Sequence, residues 1–451
     1  MWPDVLGISE HIARRHYAKW SAARQGGCAK TRCSSHLYSC EKNYDRAAFR
    51  VQLRYRRTSA RGDTNRRCLM LDTIETKAKD ILRGLANAMK LGPGSLCPCG
   101  SGRVYADCCS KSSDKELAFT RQPFAAVLRY KRSQGGRVST IPQSLFRQFE
   151  RASLQRLPCL YPDCGCKPVS CHLIPENVLR SCFGGHCLDS RLQDASAHEM
   201  FVRTGVGQAG ALPVFCSQHD NDSFKGVDQL SGDLASSQCR FLLSLKAVAF
   251  ALRRVQGLLG IDFQVALFKP IETVISHLQQ QYMRFVIAER LFAASIKAFE
   301  ASNWDYFSYY GRAIDYHEHL FFADVINPSH DLEGHRVNTR LTPIAIVCNV
   351  FTLERKLHVL FSCPDDGSRQ SYDKLFEQLD HADDRTFIAV VNNVLTFAAG
   401  KPLLPGDRVI REEDLRRLAR QREKAGRCLK TASNEVFDLR DSTDAVQFVV
   451  V

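Results

Sequence analysis

Cys97-Pro98-Cys99-Gly100-Ser101-Gly102-Arg103-Val104-Tyr105-Ala106-Asp107-Cys108-Cys109 is the stretch on which the fold turns. Two thiols separated by one residue are followed, after eight intervening residues, by an adjacent pair. Zinc needs four soft donors at the corners of a tetrahedron, with Zn–S near ~2.3 Å, and two short-range pairs joined by a tight loop deliver them. Gly100 and Gly102 let the chain turn back at positive φ. Tyr105 is placed to pack over the loop and screen the metal from water. The spacing therefore predicts a small metal-held module within the longer chain.

This segment resembles the SEC-C motif, the zinc module of the C-terminus of the SecA translocation ATPase. The likeness runs through CPCGSG, the aromatic Tyr105 and the closing cysteine pair, with Arg103 where the family usually has lysine. It implies that Cys97, Cys99, Cys108 and Cys109 ligate a structural zinc with no open position for chemistry. It covers about twenty residues and says little about a partner.

Working outward, Cys159 and Cys164 form a knuckle at C-x4-C spacing, and Cys216 and His219 a second at C-x2-H. Together they make a Cys3His set suited to a closed zinc site. Between them His172-Leu-Ile-Pro175 stands at the end of a short expected strand, with a helix expected from Glu176 to about Ser181. Cys182, His186, Cys187 and His198 lie in the same interval and compete for the role of ligand.

Two knuckles flanking an H-x-I-P strand resemble the treble-clef, ββα-metal arrangement of HNH endonucleases. By that resemblance His172 is the general base for a water attacking a phosphodiester. Asp220, directly after the last knuckle ligand, then helps hold a catalytic Mg²⁺ or Mn²⁺, with Asn221 beside it. A neutral imidazole is suited to accept that proton near neutral pH. Lys225 and Arg180 are candidates for phosphate contacts. The sequence departs from the family in ending C-x2-H-D instead of C-x2-C-H, and in the 44 positions from His172 to Cys216. A zinc-held binding protein with a nuclease-derived region is therefore the preferred expectation, and an active endonuclease the alternative. The region also looks like bacterial proteins that combine a SEC-C motif, a CxxHD segment and helices like Phe241–Phe250, a likeness that bears on architecture and not on a reaction.

Charge points to a partner. Residues 1–150 carry 28 Lys and Arg against 12 Asp and Glu, whereas 151–451 carry 34 against 36. The whole excess of +14 thus sits in the N-terminal third. Clustered cations attract phosphates over a Debye length, so nucleic acid is the expected partner, with a protein partner as the second alternative. The six arginines from Arg54 to Arg67 suit a phosphate-binding arm or a solvated loop.

Nineteen cysteines in a chain with no recognisable export signal argue for metal over disulfides and for a cytoplasmic location. Cys28, Cys33, His36 and Cys40 have ligand-like spacing for a third metal. No apolar run reaches the ~20 residues of a membrane span; Phe241–Leu252 is interrupted by Lys246. No phosphate-binding loop, dinucleotide fingerprint or G-x-S-x-G appears, which excludes the commonest nucleotide, nicotinamide and serine-esterase sites.

Periodicity supplies the frame. Ile74 to Met89 recur at helical spacing until Gly92-Pro93-Gly94. Helices are also expected from Ser9 to Ala23 and from Pro142 to Ser153, with a linker at Ser133–Gly136. Leu245, Val248, Leu252, Val255 and Leu259 mark one face of a long helix, and Phe285 to Phe299 another. Ile344–Phe351 and Leu357–Ser362 read as strands, and Glu412–Lys424 as a charged helix. The aromatic cluster Tyr306–Tyr310 and the pair His317 and His319 read as helical. The expected class is α+β. A basic region at 1–70 precedes a helix and SEC-C module at 71–132, an HNH-like zinc region at 133–235, and a mainly helical C-terminal domain with a few strands at 236–451.

Overall fold

The computed structural model describes residues 82–112, 154–190, 201–228, 234–268, 272–337, 345–365, 369–398, 402–417, 436–437 and 448–449. All belong to one compact unit, Ile74–Val451, which is distinct from Met1–Thr73. The expected helix at Ser9–Ala23, the arginine-rich segment, the Cys28–Cys40 cluster, the linker, the Pro142–Ser153 helix and His198 lie outside the described residues.

The class is α+β. After a helical segment at 82–88 the elements run β1 (Ser170–His172), α1 (Glu176–Phe183), β2 (His186–Ser190), β3 (Phe201–Gly205), β4 (Ala211–Pro213) and α2 (Ser217–Phe224). A helical hairpin follows, α3 (Ser237–Phe268) and α4 (Glu272–Glu300). Then come β5 (Phe307–Asp315), β6 (Phe321–Pro328), β7 (Ile346–Leu353), β8 (Lys356–Pro364), α5 (Gln370–His381), α6 (Asp384–Phe397), β9 (Leu404–Pro405) and β10 (Val436–Phe437).

A five-stranded sheet in the order β10-β6-β7-β8-β5 organises the C-terminal part, antiparallel apart from the short parallel pair β10–β6. Strands carry more of this part than the expected few. In β8, Leu357, Val359, Phe361 and Cys363 point into one apolar cluster with α5 and α6. On the opposite face Ser362 meets Ser244 of α3 through their hydroxyls at 2.8 Å. This is the period-two division of a sheet covered on both sides.

Of Tyr306–Tyr310, expected in a helix, Phe307–Tyr310 instead open β5 and Tyr306 directly precedes it. Phe307 and Tyr309 join the cluster containing α3 and α4, while Tyr310 joins the one containing α5 and α6. Consecutive aromatics are a strand's way of filling two cores at once. His317 and His319 fall in the loop after β5, not on a helix.

α3 is buried around its whole circumference. Ala247, Val248, Ala249, Phe250, Ala251, Leu252 and Arg253 are buried in unbroken succession. A helix apolar on all sides belongs in a core. Here α4, strands β6 and β7, and the segments bearing β4 and α2 surround it. Lys246, which interrupts the run, is buried against Asp228 at 2.7 Å. Among the described residues no helix is long and apolar enough to cross a membrane.

Candidate metal centres

The first centre is built by a hairpin turn. Leu96 bridges Val104, Cys97 N–H donates to the Arg103 carbonyl at 2.8 Å, and Tyr105 N–H to that of Ser95 at 2.7 Å. Gly100 and Gly102, at φ +76° and +77°, turn the chain between the two pairs. A single turn of 3-10 helix, Tyr105–Asp107, then presents Cys108 and Cys109. All four thiols are buried, and their sulfurs lie within 4.8 Å of one another. Cys99 and Cys108 are 3.6 Å apart.

Hydrogen bonds from Cys109, Cys97 and Cys99 hold the Cys108 thiol far below its ordinary value, and its neighbours Cys109 and Cys97 are pushed up in turn. Ser101 Oγ at 3.2 Å and Arg103 Nη2 at 3.4 Å also face the Cys108 sulfur. Tyr105 is half-buried in the same apolar cluster as the four cysteines.

The second centre joins chain segments far apart in sequence. The turn holding Cys159 and Cys164 is closed by Cys159 N–H to the Cys166 carbonyl at 3.0 Å, with Asp163 at φ +57°. β1 and β4 form a two-stranded antiparallel ribbon with His172 opposite Ala211. The ribbon leads to Cys216 at the N-cap of α2, and His219 stands on that helix's first turn. Cys159, Cys164, Cys216 and His219 offer donor atoms within 4.8 Å of one another. His219 Nδ1 lies 3.3 Å from Cys216 Sγ and 3.5 Å from Cys159 Sγ. Tyr161 stacks on the His219 ring at 4.1 Å and fixes its plane. Burial pushes the Cys159 thiol up to about 12, a penalty that a coordinating cation removes.

Both donor sets suit zinc. Each has four N or S donors, at separations compatible with a tetrahedron of ~2.3 Å bonds, enclosed by the chain. A zinc ion in either would cross-link its segments and leave no coordination site for a substrate.

His172 is not in the second donor set. It ends β1, half-buried, with its Nε2 enclosed and without a hydrogen-bond partner. Asp220 stands on α2 next to His219, and its Oδ1 is likewise enclosed and unpartnered. Burial raises the Asp220 carboxyl above its ordinary range, while Lys246, Cys171 and His172 pull it back. His172 and Asp220 therefore share one electrostatic neighbourhood. Asn221 is exposed, with its side-chain amide 3.5 Å from Ser217 Oγ. Arg180 is engaged by Glu176 on its own helix, and Lys225 is exposed.

The interval between His172 and Cys216 carries regular structure of its own among the described residues. It holds α1 and the β2–β3 hairpin, and β9 adds to that hairpin as a third strand. Cys187 is buried there with Leu179, Val206, Phe321 and Leu403, so it serves as core. Cys182 and His186 are outside both donor sets. Sequence reasoning missed this hairpin because its third strand comes from residues more than 200 positions later.

A third group, Asp331, Glu333 and His335, is tied to α5. Lys374 Nζ lies 2.6 Å from Glu333 and 3.1 Å from His335 Nδ1. Gln378 donates to Asp331 Oδ2 at 3.2 Å. It is a loop clasp.

Comparison with protein families matches residues 95–111 to the SEC-C motif. No curated protein matches the chain significantly. No solved structure does so either.

Proposed function

We propose that this chain is a zinc-held nucleic-acid-binding protein. Cys97, Cys99, Cys108 and Cys109 hold one zinc, and Cys159, Cys164, Cys216 and His219 hold the other. The basic N-terminal third grips phosphates. The observation that carries this reading is the pairing of two closed four-donor centres with a cation excess confined to residues 1–150. Closed zinc sites build surfaces and do no chemistry themselves, and the charge selects a polyanion. A turn, a two-stranded ribbon and a helix follow in that order at the second centre, which supports a treble-clef reading and descent from the HNH nucleases. Among the described residues none of the fourteen cysteines is in a disulfide, which suits a reducing compartment.

Metal analysis and anisotropy titrations with labelled DNA and RNA test the reading. The expected result is two zinc ions per chain and an affinity whose logarithm falls linearly with the logarithm of salt concentration. No binding at low salt by folded, zinc-loaded protein overturns it.

One observation favours hydrolysis as a second reading. His172 Nε2 and Asp220 Oδ1 are both enclosed and unpartnered beside the second centre. In that reading His172 takes the proton of the attacking water and Asp220 helps hold a Mg²⁺ or Mn²⁺ ion. Such an ion supplies charge stabilisation at the leaving oxygen.

A further inference from the structure

Arg253 sits in the middle of α3 and is 0% exposed. Its Nη2 donates to the carbonyls of Pro158 and Val214, the latter at 3.1 Å, and its Nη1 to Gln256 Oε1 at 3.1 Å. Pro158 precedes Cys159, and Val214 lies two residues before Cys216. One guanidinium thus fastens the two segments that bring the two halves of the second donor set. The Val214 carbonyl also accepts from Leu160 N–H at 3.0 Å, so the clamp closes on the turn itself.

Gln256, on the same turn of α3, supports the first centre. A Cβ at Gly100 would lie 2.7 Å from the Gln256 carbonyl oxygen, and one at Gly102 would lie 3.7 Å from its side-chain nitrogen. Across the hairpin, Tyr282 Oη donates to the Leu96 carbonyl at 2.9 Å. Both centres are therefore seated on one rigid surface, with the Arg253–Gln256 hydrogen bond between them.

Charge adds a second argument. Every hydrogen-bond acceptor of Arg253 among the described residues is neutral, and its Nε has none. A buried guanidinium without a carboxylate is costly unless another anion faces it. Three thiolates and an imidazole around a divalent cation would carry one net negative charge, and the Cys159 and Cys216 segments that would hold it are the two that Arg253 fastens.

We propose that Arg253 is the positioning and charge-compensating residue of the Cys159–Cys164–Cys216–His219 centre. Through Gln256 it also links metal loading there to loading at Cys97–Cys99–Cys108–Cys109. This rests on the reading of the second donor set as a metal centre.

Cobalt(II) added to the full-length metal-free protein tests it, because a tetrahedron of four sulfurs and one of three sulfurs and a nitrogen differ in their d–d absorption and can be followed separately. Wild type is expected to bind two ions. Uptake of one ion, at the four-cysteine centre only, rejects the underlying reading of the second donor set and leaves nothing for Arg253 to compensate. With two ions bound, Arg253→Met is expected to weaken the histidine-containing centre by about 10–100-fold, the usual range for residues supporting metal ligands. Arg253→Lys, which keeps the charge, is expected to recover most of that loss. The double variant Cys97→Ser/Cys99→Ser is expected to weaken the histidine-containing centre by about fivefold or more. Equal losses in the Met and Lys variants reduce Arg253 to packing, and no loss in either overturns its role. If Arg253→Met does not fold, Gln256→Ala and the double cysteine variant decide the linkage, and an unchanged affinity of the histidine-containing centre in both refutes it.

Discussion

The backbone carbonyl of Gln256 occupies the space that any side chain at Gly100 would need: a Cβ there would lie 2.7 Å from that oxygen. Gly100 also sits at φ +76°. Two independent constraints, a left-handed backbone and contact with the buried helix α3, thus demand glycine at one position of the first centre.

Gly100→Ala is accordingly expected to cost stability twice. A left-handed alanine carries about 1–2 kcal/mol, and displacing the loop from α3 adds about 1–3 kcal/mol of overpacking. Because the loop cannot shift without moving Cys99, metal content at this centre should fall with the melting temperature. Zinc analysis beside thermal unfolding checks both. Gly94 has open space around its Cβ position and serves as the control.

This constraint shows where the sequence was legible and where it was not. Cysteine spacing is local information: the loop at 97–109, the C-x4-C turn and the C-x2-H helix start could all be read from it, and the donor atoms of both sets come together. The helical periodicity of α3 was legible too, but as a single face. Its other faces are buried by elements that local pattern does not name, such as the segments before Cys159 and Cys216 that Arg253 holds. The pairing of Cys187 with Pro405 was invisible for the same reason, since strand register is set by partners distant in the chain.

The buried Lys246 gives a second prediction. Its side chain is 6% exposed and its partner Asp228 is 34% exposed, at 2.7 Å. Phe224 offers its ring face at 5.3 Å but cannot replace a carboxylate. Asp228→Ala is expected to destabilise by about 1–3 kcal/mol, below the range for a fully buried pair because Asp228 is partly solvated. Lys246→Met combined with Asp228→Asn should recover most of the loss, and urea unfolding of wild type and the two variants measures it.

Asp331 sets an acid limit. Its side chain is 1% exposed, a burial that by itself would raise its carboxyl. The His335 N–H at 2.7 Å, Gln378 and the His335 ring outweigh that and hold it below its ordinary 3.8. A depressed folded value means that the stability Asp331 supplies is fully present above the unfolded value. It is lost as pH falls through the folded one. Asp331→Asn should therefore cost about 2 kcal/mol near neutrality and flatten the loss of stability below about pH 4. Denaturant titrations across that range compare the two proteins.

Chelation should divide the unit unevenly. The metal-binding cysteines belong to the apolar cluster of α3 and α4, whereas α5 and α6 pack on the opposite face of the sheet around a cluster of their own. Stripping zinc is expected to remove hydrogen-exchange protection from 95–111, 159–172 and 211–224 while β7 and β8 keep theirs. Equal loss throughout would mean that the second cluster cannot stand without the first.

The hydrolytic reading makes the sharpest demand on two side chains. His172 ends a strand and Asp220 stands on a helix, and each leaves a buried atom without a partner next to the second centre. A core histidine and a core aspartate normally satisfy such atoms, so the two orphans mark a place where something polar belongs. If that something is a hydrated Mg²⁺ or Mn²⁺, His172→Ala and Asp220→Asn should each abolish cleavage of plasmid or single-stranded substrate with zinc content unchanged. Asn221→Ala, at an exposed position, should retain most of it. If the place is structural, the same two variants should alter stability, and neither wild type nor variant should cut. Cleavage assays run beside metal analysis and thermal unfolding separate the outcomes, because only catalysis makes activity depend on the added divalent ion while the fold stays intact.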